Sequence, residues 1–192
     1  MQLCSPFWVY VREFIFIAES LFLTGKIPIF AAMSDICVYI KLPAYEREWC
    51  HHHFGNPAKF PSHTNINSVI RHFIKTPPKN AVPDTRQPDE MAVVIPVSNS
   101  KRPEYYHYLT KPGKAAIAEA IDDIFTIHMW ESLTGAGCRN VMLSKLIMDW
   151  MMSNGISQDN YENLRQKFTR IKEAYRKEAG INLSRGYKHE HN

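Results

Sequence analysis

Residues 155–179 read GISQDNYENLRQKFTRIKEAYRKEA, and this stretch decides the fold. Gly155 can close one helix, since a residue in the left-handed region ends helices and glycine enters it without steric cost. Ser157 or Asp159 can cap the next, because their side-chain oxygens accept the free N–H groups of a first turn. From Tyr161 to Ala179 the apolar residues Tyr161, Leu164, Phe168, Ile171 and Tyr175 recur three and four apart. That spacing lays a single apolar stripe along an α-helix. Just upstream, Arg139 to Asn154 carries Val141, Met142, Leu143, Leu146, Ile147, Trp150 and Met151. A face this broad predicts burial on more than one side. Helix, tight turn and basic helix are the parts of a helix-turn-helix DNA reader.

Working back along the chain, a helix is predicted from about Pro112 to Leu133, with Thr110 as its cap and Pro112 in its first turn. Ile117, Ile121, Ile124, Phe125, His128 and Met129 keep its period, and Gly135-Ala136-Gly137 breaks it. Two stretches rich in β-branched residues, Ile36 to Leu42 and Met91 to Val97, read as strands. Pro96 lacks an N–H donor and marks the second as an edge strand or a strand end. Between them, helices are expected at Ala44 to Phe54, closed by Gly55, and at Asn65 to Lys75, stopped by Thr76-Pro77-Pro78. Residues 76–90 carry four prolines and form a loop. The predicted class is α+β. It comprises a small two-stranded α/β unit over 33–110, a three-helix, helix-turn-helix-like part over 111–182, and a polar, disordered tail at 183–192.

A hydrophobic content of 45% against 22% charged residues suits a folded protein of one domain or two small ones. The charge is uneven. Residues 156–188 hold eight Lys/Arg against four Asp/Glu, whereas residues 1–155 hold 15 against 14. An anionic partner would therefore be steered to the C-terminal part. Cys4, Cys37, Cys50 and Cys138 show no Cys-x-x-Cys spacing, so reduced thiols in a cytoplasm are expected.

Residues 7–31 are rich in Phe, Trp, Ile, Val and Leu, but Arg12, Glu13, Glu19 and Lys26 interrupt the run. A membrane span needs about 20 predominantly apolar residues, and a signal peptide needs an unbroken apolar core. Met33-Ser34-Asp35 looks like an ordinary protein start ahead of a strand. Residues 1–32 are therefore read as upstream sequence translated from a wrongly chosen start codon, with a membrane anchor or signal and a core helix as alternatives.

On the last helix Arg165, Lys172 and Arg176 lie on one flank of the apolar stripe, and Lys167, Arg170 and Lys177 on the other. Such a helix can dock by one face and present cationic donors on the rest. Arg and Gln166 suit bidentate bonds to base edges, and Lys suits phosphate. The expected contact set is Arg165, Gln166, Lys167, Thr169, Arg170, Lys172, Arg176 and Lys177. The same helix could instead be a solvated bundle helix or a docking surface for a protein, and its spacing also allows a coiled-coil homodimer.

The pattern Gly155-Ile156, Tyr161-Glu162, Leu164-Arg165-Gln166-Lys167-Phe168, Arg170, Tyr175 and Ile181, with the segments Tyr45 to Phe60 and Asn65 to Pro77, resembles small uncharacterised prophage and mobile-element proteins of Bacteroidetes-type bacteria. The resemblance spans about 33–182. It implies a mobile-element context with nucleic acid nearby and carries no activity with it.

Signatures of chemistry are sparse. In Cys50-His51-His52-His53, Cys50 and His53 are three apart and share a helix face, with Glu46 one turn back. Consecutive histidines point apart, and His63 and His72 are uncommitted, so surface or half-buried histidines are expected rather than a metal centre. His51-x-His53 also permits a relaxase-like, metal-dependent nuclease with Tyr105, Tyr106 or Tyr108 as nucleophile. In that family, however, the pair lies on a strand around a hydrophobic residue. Gly135-Ala136-Gly137-Cys138 follows a helix and is not a dinucleotide loop. There is no phosphate-binding loop, zinc-protease motif or nucleophile elbow. Asp122-Asp123 is read as a polar helix face, Tyr105 to Tyr108 as an aromatic cluster, and Trp49, Trp130 and Trp150 as core. No catalytic residue, cofactor or small-molecule substrate is expected. The reading is a non-catalytic DNA-binding accessory or regulatory protein of a phage or mobile element. The alternatives are a protein-interaction or phage structural module and a nuclease built on His51 and His53.

Overall fold

In the computed structural model, strand β1 (Cys37–Lys41) pairs antiparallel with β2 (Glu90–Val94), setting Val38 opposite Val93 and Ile40 opposite Met91. Residues 35–82, 84–135 and 141–179 are described. The expectations placed on 1–32, on Ala136 to Cys138 and on the tail lie outside the described residues. Val38, Ile40 and Leu42 are buried and Lys41 is exposed, the alternation expected of a sheet with one face on a core. Across β2 from β1, the Ala58 N–H donates to Ala92 O at 2.8 Å and the Val94 N–H to Ala58 O at 2.9 Å. This backbone cover explains why Met91, Ala92, Val93 and Val94 are all buried. The strand ends before Pro96, short of the expected Val97.

Helix α1 (Ala44–Phe54) ends at Gly55, whose φ is 82° and whose N–H donates to His51 O. Helix α2 (Asn65–Phe73) starts at Thr64, whose hydroxyl accepts the Asn67 N–H. It stops two residues before the expected Lys75, because the Lys75 backbone is taken up by a bridge to Tyr108. The Lys101 ammonium donates to Arg71 O at 2.5 Å and Ile74 O at 3.2 Å, satisfying carbonyls at the end of α2. Helix α3 (Lys111–Thr134) begins as expected, with Thr110 accepting the Gly113 N–H. Helix α4 spans Leu143–Ser153; Met142, inside the expected helix, is extended at φ −60°, ψ 135°, and the expected start at Arg139 lies outside the described residues. Helix α5 (Tyr161–Ala179) is entered through a 3₁₀ turn, Gln158–Asn160.

A single core runs from Val38 to Phe168 and draws on both the α/β part and the helical part. Phe125 of α3 is fully buried at its centre, with ring centroids 5.4 Å from Tyr45, 5.5 Å from Trp49 and 5.6 Å from Trp150. Such tilted and edge-on contacts stabilise aromatic clusters beyond the area they bury. The fold class is α+β, a two-stranded antiparallel sheet with five helices among the described residues. No helix among them is long and apolar enough to cross a membrane. Cys37 and Cys50 carry free thiols.

Candidate nucleic-acid interface

The turn between α4 and α5 is built bond by bond. Gly155 has φ 67°. Its N–H donates to Met152 O at 3.3 Å, and the Ile156 N–H donates to Met151 O at 2.9 Å. These are the two bonds of a Schellman helix end, and buried Ile156 and Met151 supply its hydrophobic contact. The Ser157 hydroxyl then accepts the Asp159 N–H and opens the 3₁₀ turn. The turn is also strapped to α1. The Glu48 carboxylate accepts the Ser157 N–H at 2.8 Å and the Asn160 amide at 3.1 Å. His53 Nε2 is hydrogen-bonded to Asn154 Oδ1 at 2.8 Å, and the Asn154 amide donates to Trp150 O. Helix α5 thus leaves the turn from a braced point.

Its apolar stripe packs as the spacing predicts. Leu164 and Phe168 are buried, and Tyr161 and Ile171 are half-buried. Tyr175 stays 46% exposed and stacks on Trp130 of α3 at 4.5 Å and 7°. Trp130, expected in the core, is half-buried and covers Phe168 and Tyr175.

The expected contact residues divide into three groups. Arg170, Arg176 and Lys177 are exposed, and Lys172 is half-buried. Arg165, Gln166 and Thr169 are exposed but engaged. Arg165 donates both Nε and Nη2 to the Glu162 carboxylate at 2.9 Å, Gln166 donates to the same carboxylate at 3.2 Å, and the Thr169 hydroxyl donates to Arg165 O. The Arg165 and Gln166 bonds hold the Glu162 carboxyl below its usual range.

Lys167 corrects the sequence expectation. Its side chain is only 18% exposed, and its ammonium is ion-paired with Asp122 and lies 3.8 Å from Glu46. The ammonium is thus already held by two carboxyls, where the sequence expectation has it free for phosphate. Asp122, read as part of a polar face, is its partner. Sequence reasoning missed this cluster, although Glu46 shares a helix face with the core residues Trp49 and Cys50, at i+3 and i+4. It missed Glu48 as the brace of the turn for lack of any local signal.

The histidines do not converge. Two residues apart on a helix, His51 and His53 point in nearly opposite directions. His53 meets Asn154 and packs its ring against Trp49 and His128. The His51 Nε2 is buried without a hydrogen-bond partner, and burial and then Arg86 and Arg47 lower its pKa. Glu46 turns to Lys167, and burial pushes the Cys50 thiol up to about 12, away from thiolate chemistry. Among the described residues no group of three or more His, Cys, Asp or Glu side chains is placed to hold a metal ion. No protein-family model, curated protein or solved structure matches the chain.

Proposed function

We propose that the protein is a non-catalytic DNA-binding accessory or regulatory protein, with the exposed side of α5 as its contact face. One observation carries the reading: the cationic helix α5 leaves a Schellman turn that two side chains of α1, Glu48 and His53, hold in place. A helix with its apolar stripe on the core and its cations outward can sit in a groove without refolding. The contact set becomes Arg170, Lys172, Arg176 and Lys177 for phosphates, with Arg165 and Gln166 available once Glu162 is displaced and Thr169 once its hydroxyl leaves Arg165 O. The mobile-element setting rests on the sequence resemblance alone.

A salt series tests the proposal. The full chain is titrated against mixed-sequence duplex DNA beside an Arg170→Ala/Arg176→Ala variant. Salt-sensitive binding, weakened in the variant with a shallower salt slope, is expected. No binding at low salt would end the proposal.

A second reading has its own observation. Ile127 is 56% exposed one helical turn from Trp130, beside the half-open Trp130–Tyr175 stack, and such a patch suits a protein partner. Binding through it would be indifferent to salt.

A further inference from the structure

Among the described residues Glu46 is the only carboxylate or cationic side chain that is buried, at 2% exposed. It stands on α1, while its partners come from two other helices. Asp122 of α3 is 45% exposed, and Lys167 of α5 is 18% exposed. The ammonium lies 5.6 Å from the Phe125 ring centre and 6.0 Å from that of Tyr45, so the cluster has aromatic walls. Two carboxyls therefore share one ammonium. With both ionised, the cluster carries a net negative charge in a poorly solvated place. With one proton between them, it is neutral and every member has a partner.

We propose that Glu46, Asp122 and Lys167 form a proton-dependent clamp that fastens α5 to α1 and α3 while a proton is held between the two carboxyls, and that loss of this proton as the pH rises loosens α5. The groups facing the clamp are Tyr45 and Cys50 from α1, Asp122 from α3, and Lys167 and Arg170 from α5. Burial first, and then Asp122, push the Glu46 carboxyl up to about 8 against the pull of Lys167. Tyr45 and Cys50 are both pushed up to about 12 and keep their protons through the range. The direction follows from linkage. A carboxyl whose folded pKa is raised contributes stability that is complete below its unfolded value near 4.5 and is lost as the pH climbs through about 8. None of this depends on what α5 binds.

The test is urea unfolding of the full chain from pH 5 to 9 for wild type, Glu46→Gln and Asp122→Asn, with amide hydrogen exchange along α5. Glu46→Gln keeps the shape and the neutral state but has no proton to lose. The wild-type folding constant, divided by that of Glu46→Gln, is expected to fall with rising pH, approaching tenfold per unit at the steepest and flattening above the titration. In Asp122→Asn a single carboxyl faces Lys167 and burial alone still raises it, so the decline is expected to be smaller and to end at lower pH than in wild type. Protection of the Leu164 to Ile171 amides, corrected for intrinsic exchange, should drop with pH in wild type and stay level in Glu46→Gln. Parallel wild-type and Glu46→Gln curves would overturn the clamp, as would α5 protection that does not change with pH. Should Glu46→Gln not fold, Asp122→Asn against wild type decides: the same alkaline decline in both overturns it.

Discussion

Replacing Gly155 by alanine probes the turn on which the placement of α5 depends. Its φ of 67° lies where an L side chain crowds its own backbone, at a cost of roughly 1–2 kcal/mol. The new Cβ would also lie 2.9 Å from His52 Nδ1 and 3.1 Å from His52 Cβ and Cγ. His52 is exposed and its ring can swing, but its Cβ is fixed on α1, so the overpacking adds about 1 kcal/mol, at the low end for such changes. The total of about 2–3 kcal/mol corresponds to a midpoint lowered by roughly 4–12 °C for a chain of this size. Thermal and urea unfolding of Gly155→Ala, His52→Ala and the double variant separate the two terms. His52→Ala alone should cost under about 0.5 kcal/mol, and the double variant should recover about 1 kcal/mol of the Gly155→Ala loss. A Gly155→Ala protein within about 0.5 kcal/mol of wild type would refute the requirement for positive φ. Strict additivity would refute the His52 contact.

Three further outcomes are expected. Lys167→Met removes the ammonium from Glu46 and Asp122 and should cost about 2 kcal/mol by urea unfolding, allowing for the half-exposed Asp122, whereas Arg170→Ala should cost under about 0.5; equal costs would contradict the division of α5 made here. The indole N–H of Trp49 donates to His128 Nδ1 at 3.2 Å, and burial, followed by His53, lowers the His128 pKa from 6.5. The unfolded chain then binds its proton first, so stability should fall as the pH drops through about 6.5 and level off once the folded ring is protonated; an NMR titration placing His128 at or above 6.5 would exclude this. Thr110→Ala deletes the cap of α3 and should cost about 1 kcal/mol in urea, with an unchanged midpoint as the contrary result.

Where one helix carries its own punctuation, the sequence is legible. Thr110 and Pro112 start α3, Gly55 ends α1, and the spacing of Leu164 and Phe168 gives the buried side of α5 correctly. What misled was non-local. The end of α2 depends on Tyr108, more than thirty residues away, and the cover of β2 depends on a bridge from Ala58. Lys167 enters the expected contact set by its charge. Its position on the wheel, on the flank next to the apolar stripe, left its fate to whatever α1 and α3 brought there. Helical periodicity reports which face turns inward, not whether an acid waits opposite. Glu46 was the overlooked hint, because a carboxylate on a core-facing position has to find a proton or a cation.

The same correction fixes the electrostatic scale of any DNA contact. Six cations on α5 are available by composition: Arg165, Lys167, Arg170, Lys172, Arg176 and Lys177. If each neutralised a phosphate, the logarithm of affinity would fall against the logarithm of salt with a slope of about −5.4. The structure withdraws Lys167 into the clamp and holds Arg165 on Glu162, leaving four. Four give a slope of about −3.6, a roughly 150-fold loss between 50 and 200 mM salt for a single copy. Two copies on one duplex would double the slope to about −7.2. The measured slope therefore separates three arrangements in one experiment. A value near −3.6 means one copy binding with the clamp closed. A value near −5.4, reduced to about −4.5 by Lys167→Met, means that DNA pulls Lys167 away from Glu46 and Asp122 and Arg165 away from Glu162. A slope near −7 requires a dimer and should revert on dilution. A slope near zero removes DNA as the partner and leaves the Ile127–Trp130–Tyr175 patch as the surface to pursue.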